Sequence, residues 1–296
     1  MSVVKITDLS ISESASTSIS TGDIIDLTSP FSVEVTSGSN ITKEWVIRAH
    51  QALALPNGDF SKWHRNQFYY PFAEGDDPFW LTGNIRAFGV TNESVVPVDD
   101  SKGGKMGRLE TIDTGFGALV GMPIASGSLF LGHFCDGDNT RKEARTKVRF
   151  GRPLAARPKA LKGRSKYVSA INELNPHDDF NDFEISMKAG DNDYGHIWIK
   201  VYYYDGDIED IYNVKEEWNH NLHLPKNAEI LGEGEMLVKS DNPDLSEIKI
   251  NIEYNTEYLH RSPTHIAIVA TSSYYGEFFV GGIGSTLYVD DFEFEY

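Results

Sequence analysis

His196-Ile197-Trp198-Ile199-Lys200-Val201-Tyr202-Tyr203-Tyr204 decides the fold. Successive side chains of an extended chain point to opposite faces. Ile197, Ile199, Val201 and Tyr203 therefore form one apolar face, and His196, Trp198, Lys200, Tyr202 and Tyr204 form the other. This period of two predicts a strand with one face in a core and one face decorated with rings and charge. Phe183–Lys188 reads the same way, with Phe183, Ile185 and Met187 inward and Glu184, Ser186 and Lys188 outward. Gly190-Asp191-Asn192-Asp193 joins the two as a hairpin turn.

Further short β-runs lie at Glu143–Phe150, Ile248–Tyr254, His265–Thr271 and Thr286–Tyr296. Ala160–Leu174 is the best helical candidate, but Gly163, its β-branched residues and Tyr167 weaken it. There is no repeat at a fixed period. Residues 55–296 thus predict an all-β domain, a jelly-roll β-sandwich of the carbohydrate-binding-module type. Residues 1–52 form a separate small β-module, read as immunoglobulin-like: Phe31, Val33 and Val35 alternate with polar residues, and Trp45-Val46-Ile47 restarts a strand. Leu55-Pro56-Asn57-Gly58-Asp59 reads as the link.

The 296 residues carry 27 Lys and Arg against 44 Asp and Glu, a net charge of −17. Phosphate backbones are repelled by such a surface, so nucleic acid is excluded as a partner. A single cysteine, Cys135, excludes an intramolecular disulfide and a cysteine-based zinc cluster. No apolar run is long enough for a membrane helix. Met1–Ser20 has no apolar signal core, so the chain is expected to be either cytosolic or a mature form without its export signal.

Flat rings stack on the apolar C–H faces of sugars, and charged groups take their hydroxyls. The face holding Trp198, Tyr202, Lys200 and His196, with Glu184 beside it, offers both, and Trp63 and Trp80 are further stacking candidates. A solvated convex surface is the plainer reading of the same residues. Arg145, Lys147 and Arg149 alternate on one side of Glu143–Phe150, suited to ion pairs or to an acidic sugar. In the last strand Asp290 falls in phase with Tyr288, Phe292, Phe294 and Tyr296. A carboxylate on an apolar face needs a hydrogen bond, an ion pair or a metal. Structural calcium is one expectation, with Asp59, or more weakly Glu110, supplying further oxygens.

Other motifs fail. Gly281-Gly282-Ile283-Gly284-Ser285 lacks the lysine of a P-loop and reads as a tight turn. His220 and His223 beside Trp218 lack a helix to make them a metal pair. Asp136-Gly137-Asp138-Asn139 lacks the later residues of a calcium loop and reads as a plain turn.

Ser272-Ser273-Tyr274-Tyr275-Gly276-Glu277-Phe278-Phe279-Val280-Gly281-Gly282-Ile283-Gly284-Ser285, then Leu287-Tyr288-Val289-Asp290-Asp291-Phe292-Glu293, resembles the closing segment of the Putative carbohydrate metabolism domain (PCMD), a family found mainly in Bacteroidetes. Trp80-Leu81-Thr82-Gly83-Asn84, Leu109-Glu110-Thr111, Ala125–Phe134 and Pro158–Tyr167 resemble its earlier elements in the same order. The resemblance covers roughly residues 55–296. It implies a jelly roll behind a small immunoglobulin-like module and a role in glycan handling at the cell envelope. It further implies an extracytoplasmic place, at the cell surface or in the periplasm, as a lipoprotein. The ligand would be a polysaccharide or oligosaccharide, with outer-membrane glycan-uptake proteins as partners.

Three functions fit. Non-catalytic glycan binding needs only the ring-bearing face and no cofactor. A glycoside hydrolase needs two suitably spaced carboxylates, for which Glu184 and Glu253 are candidates, and a polysaccharide lyase needs a base such as His196 or Tyr202. An adhesive or structural envelope module would turn the same rings toward another protein.

Overall fold

The computed structural model describes residues 3–49, 52–87, 90–135, 140–239 and 242–296. The chain divides into two compact units, Met1–Gln51 and Ala52–Tyr296. In the first, Val3–Lys5 pairs with Ile24–Asp26, while Ser16–Thr17, Phe31–Thr36 and Thr42–Ile47 make a three-stranded antiparallel sheet. Val33 is buried as its alternation requires, whereas Trp45 is exposed. These five strands fall short of the seven of a complete immunoglobulin domain. Among the described residues the unit is a small antiparallel β-module without that fuller pattern.

The second unit is an antiparallel β-sandwich. One sheet runs Val95–Asp99, Lys105–Glu110, Thr286–Glu295, Ala160–Val168, Asn242–Asn251. The other has eight strands. Its main path is Val148–Phe150, Ser128–Phe134, His265–Thr271, Gly195–Tyr203, Glu229–Val238, Glu253–Tyr254, with Arg152–Pro153 and Trp80–Thr82 attached. The deciding run lies near the middle of the larger sheet. Ile197, Ile199 and Val201 pack against Leu109, Leu161, Ile250, Leu287 and Val289 in one core.

Four local expectations change. Ala160–Val168 is a strand, because Leu161, Ser165 and Tyr167 are buried while Lys162, Arg164 and Lys166 remain partly open, a period of two. Only Val148–Phe150 of Glu143–Phe150 is a strand. Thr140 accepts a hydrogen bond from Glu143 N and starts a short helical turn, Arg141–Ala144, which passes into the 3-10 turn Arg145–Lys147. Phe183–Lys188 joins no sheet. Phe183 and Ile185 pack beside Phe180, Met187, Tyr275, Phe278 and Val280, a side cluster that satisfies the apolar alternation without strand pairing. Leu55 is buried in the main core, and Gly58 O accepts from Phe292 N at 2.7 Å, so the expected link is built into the sandwich.

The terminal strand carries a bulge. Lys162 pairs with Glu293 but Arg164 pairs with Asp290, so one extra residue stands on the terminal strand. Asp291 there adopts a left-handed φ of 51°. A bulge of this kind reverses the facing of every later side chain. Leu287 and Val289 before it, and Phe292 after it, all reach the core, while Tyr288 and Asp290 share the opposite face with Arg164. Gly163 lies beneath the Phe292 ring, where a Cβ would come within 2.4 Å of Cδ1. Asp136-Gly137-Asp138-Asn139 lies outside the described residues.

Candidate functional site

The decorated face of Gly195–Tyr203 forms part of a cleft of about 1550 Å³. His196, Trp198 and Lys200 line it. The sheet register sets Glu235 beside Trp198 and Glu233 beside Lys200, with Val269 on Trp198's other flank. His196 Nε2 donates to Glu235 Oε2 at 2.8 Å, and Lys200 Nζ donates to Glu233. Burial, opposed by Glu235, lowers the His196 pKa below the ordinary imidazole value and so favours the neutral ring.

The loop 272–279 lines the same cleft. Buried hydroxyls anchor its start. Thr111 Oγ1 is 2.7 Å from Ser272 Oγ and 2.5 Å from Ser273 Oγ, and Ser273 Oγ donates to Asp193 Oδ2 at 2.5 Å. Gly282 N also donates to Asp193 Oδ2, at 2.8 Å. The glycine run is a turn as expected, and its second glycine lies so close to Ala170 that a Cβ would meet the carbonyl oxygen at 2.6 Å. Burial raises the Asp193 pKa even though these bonds favour the anion.

This anchoring sets two groups in the cleft. Tyr274 stands against His196, with ring centroids 4.8 Å apart, and stacks on Tyr194 at 5.3 Å. Glu277 Oε2 accepts from Arg145 Nε at 3.1 Å, Arg145 Nη2 at 2.8 Å and His223 Nε2 at 3.0 Å. Burial pulls this carboxyl upward, but the His223 hydrogen bond and the charges of His223 and Arg145 hold it below the ordinary carboxylate value. Arg145 is clamped in turn between the rings of Phe183 at 4.6 Å and Phe278 at 5.2 Å. Phe150 closes the row, meeting Trp198 edge-on at 5.2 Å and His223 at 5.2 Å. Trp198, Phe150, His223 and Glu277 are therefore contiguous.

Of the residues expected from sequence, His196, Trp198, Lys200 and Glu184 line this cleft. The other three rings do not serve it. Tyr202 shares their strand face but is fully buried under Ile208, Tyr212, Trp218 and Leu224 of the segment that follows. Trp80 is fully buried in the core, its indole N–H donating to Pro56 O at 2.8 Å. Trp63 packs on the core and donates to Phe60 O at 2.6 Å. Tyr202 and Trp80 have no open face on which a sugar could stack, whereas Trp63 is half-buried and lies outside the lining of this cleft. Arg145, Lys147 and Arg149 do not form one strand face. Arg145 pairs with Glu277, and Arg149 is buried over the Trp218 ring.

Asp290 has an ion-pair partner in Arg164, whose Nη2 donates to it at 2.5 Å and to Asp100 at 3.0 Å, while Nε donates to Asp291 at 2.8 Å. The positive charge that a buried carboxylate needs is thus a guanidinium. Asp59 Oδ1 accepts only from Ser61 N, at 3.3 Å, among the described residues. No group of three or more His, Cys, Asp or Glu among those residues is arranged to hold a metal.

Sequence reading misses Tyr274, Glu277 and Phe150 as site residues, and places Arg145 only on a cationic strand face suited to ion pairs or an acidic sugar. The sequence marks His223 only as a possible metal ligand. No local spacing marks them, because 54 residues separate His223 from Glu277 and 132 separate Arg145 from it.

Residues 59–295 match the family model of the Putative carbohydrate metabolism domain. The chain belongs to the PCMD family. The sandwich is similar to two crystal structures described as putative glycoside hydrolases. One, from Bacteroides thetaiotaomicron, has a TM-score of 0.61 and 23% identity over 96% of this chain and 84% of the other. The second, from Bacteroides vulgatus, has a TM-score of 0.56 and 23% identity over 83% of this chain and 95% of the other. At that identity the likeness shows a shared fold. A search of curated proteins returns no match. The family places this PCMD chain among carbohydrate-related proteins.

Proposed function

We propose that this PCMD chain binds a polysaccharide or oligosaccharide in the cleft over Gly195–Tyr203, with Trp198 and Tyr274 as stacking rings. The observation that carries this reading is the mixture in one concave site: partly open rings beside carboxylates held in place by ion pairs. Sugars need both kinds of surface. A concave site also surrounds a ligand more fully than a flat sheet does. The envelope location implied by the family resemblance belongs to the same proposal, as do partners that import glycans.

A glycan array probed with the full chain, with and without chelator, tests ligand and calcium together. Binding that survives chelator is expected. A blank array would overturn the reading. Hydrolysis is the second reading, favoured by Glu184 and Glu253, which line the cleft and have no cationic partner among the described residues. A reducing-end assay on the glycans that bind separates the two, since a binding module releases no new ends.

A further inference from the structure

Charge divides glycans into classes, because uronates and sulfated sugars are anions and most other sugars are not. Five glutamates line the cleft: Glu184, Glu233, Glu235, Glu253 and Glu277. Three lysine or arginine side chains oppose them. Arg145 is held by Glu277 and Lys200 by Glu233, and Lys147 is also engaged. Burial disfavours a positive charge on His196, and His223, the other histidine of the lining, is held by Glu277. The cleft is therefore acidic within a chain whose net charge is −17. An anionic sugar entering it would lose hydration and meet like charge.

Glu277 also has acceptor capacity to offer. Its three hydrogen bonds all reach Oε2. Oε1 has no partner among the described residues, and the side chain remains 38% exposed. A carboxylate fixed this firmly is pre-organised, so accepting a hydroxyl costs it little side-chain freedom. We propose, resting on the glycan-binding reading, that the cleft takes uncharged glycans and rejects anionic ones, and that Glu277 Oε1 accepts a sugar hydroxyl near Trp198.

Affinity gel electrophoresis of the full chain tests this. The neutral probes are mannan, arabinan and mixed-linkage β-glucan, and the anionic probes are polygalacturonate and alginate. Each gel is run at about 20 mM and about 500 mM salt, because exposed ionic attraction fades between the two. The expected result is retardation by a neutral probe at both salts and by neither anionic probe. Retardation by an anionic probe that vanishes at high salt overturns the charge inference but leaves glycan binding standing. Retardation by no probe overturns glycan binding itself. Glu277→Gln keeps shape and removes charge. It is expected to weaken the neutral interaction about tenfold, as loss of a charged hydrogen bond does. Undiminished retardation of this variant, with an unchanged circular dichroism spectrum, removes Glu277 from the site. The wild-type panel stands whether or not the variant folds.

Discussion

Arg164 and Asp290 face each other on adjacent strands of the five-stranded sheet, Nη2 to Oδ2 at 2.5 Å. Arg164 is 13% exposed and serves three carboxylates, Asp100, Asp290 and Asp291. Removing one partner from a buried ion pair leaves uncompensated charge and costs about 3–5 kcal/mol. Arg164→Met leaves three crowded carboxylates. Urea denaturation should show a loss in that range at pH 7, shrinking as the pH falls and the carboxylates protonate.

Asp290 has its own pH signature. Burial, then the neighbouring Asp291, pushes its pKa up to about 6 in the folded chain. A raised pKa means that the folded state holds the proton more tightly than the unfolded state. The resulting stabilisation is complete below the ordinary value of 3.8 and is lost as the pH rises through about 6. Asp290→Asn cannot titrate there. Melting curves between these two pH values should fall less steeply for the variant than for the parent, and identical slopes would count against this assignment.

His265 works in the opposite direction. Its ring is buried and stacked on Tyr202 with centroids 5.3 Å apart. Burial lowers its pKa to about 4 from 6.5. The stabilisation is present above 6.5 and is lost as the pH falls toward about 4, because the unfolded chain binds a proton that the folded chain refuses. The full shift corresponds to roughly 3 kcal/mol. His265→Gln should flatten the acid limb of the stability profile over this window.

Trp198→Ala removes the ring on which a sugar would stack. Glycan affinity measured by calorimetry should fall about tenfold, equivalent to ~1.4 kcal/mol, while the melting temperature changes little. Full affinity in this variant would displace Trp198 from the site.

Trp80→Ala gives the contrasting result. The indole is fully buried against Phe60, with centroids 5.3 Å apart. Truncating a buried tryptophan costs about 3–5 kcal/mol. Chemical denaturation should show that loss, and binding by the folded fraction should persist.

The two tryptophans show how far local pattern reaches. Alternation places Trp198 opposite Ile197 and Ile199 because neighbouring side chains in a strand must point apart. It places Tyr202 on that same face equally well, yet Tyr202 is sealed by Trp218 and Leu224 from a segment with no regular pattern of its own. Trp80 offered no alternation that distinguished core from edge. In the last strand the two-residue period runs unbroken through Tyr288, Asp290, Phe292 and Phe294 on paper. The bulge at Asp291 breaks it in space.

The sequence by itself determined that this chain is β-built, that Gly195–Tyr203 buries one face, and that the other carries His196, Trp198 and Lys200. Those are consequences of residue-to-residue geometry, which acts over two or three positions. Only the tertiary structure decided that Glu277 meets Arg145 and His223, that Tyr202 lies under a cover, and that Arg164 neutralises Asp290. Each depends on tertiary contacts that no two-residue period records: residues 54 and 132 positions apart meeting in the cleft, the segment 208–224 folding back over Tyr202, and a one-residue bulge that sets Asp290 opposite Arg164.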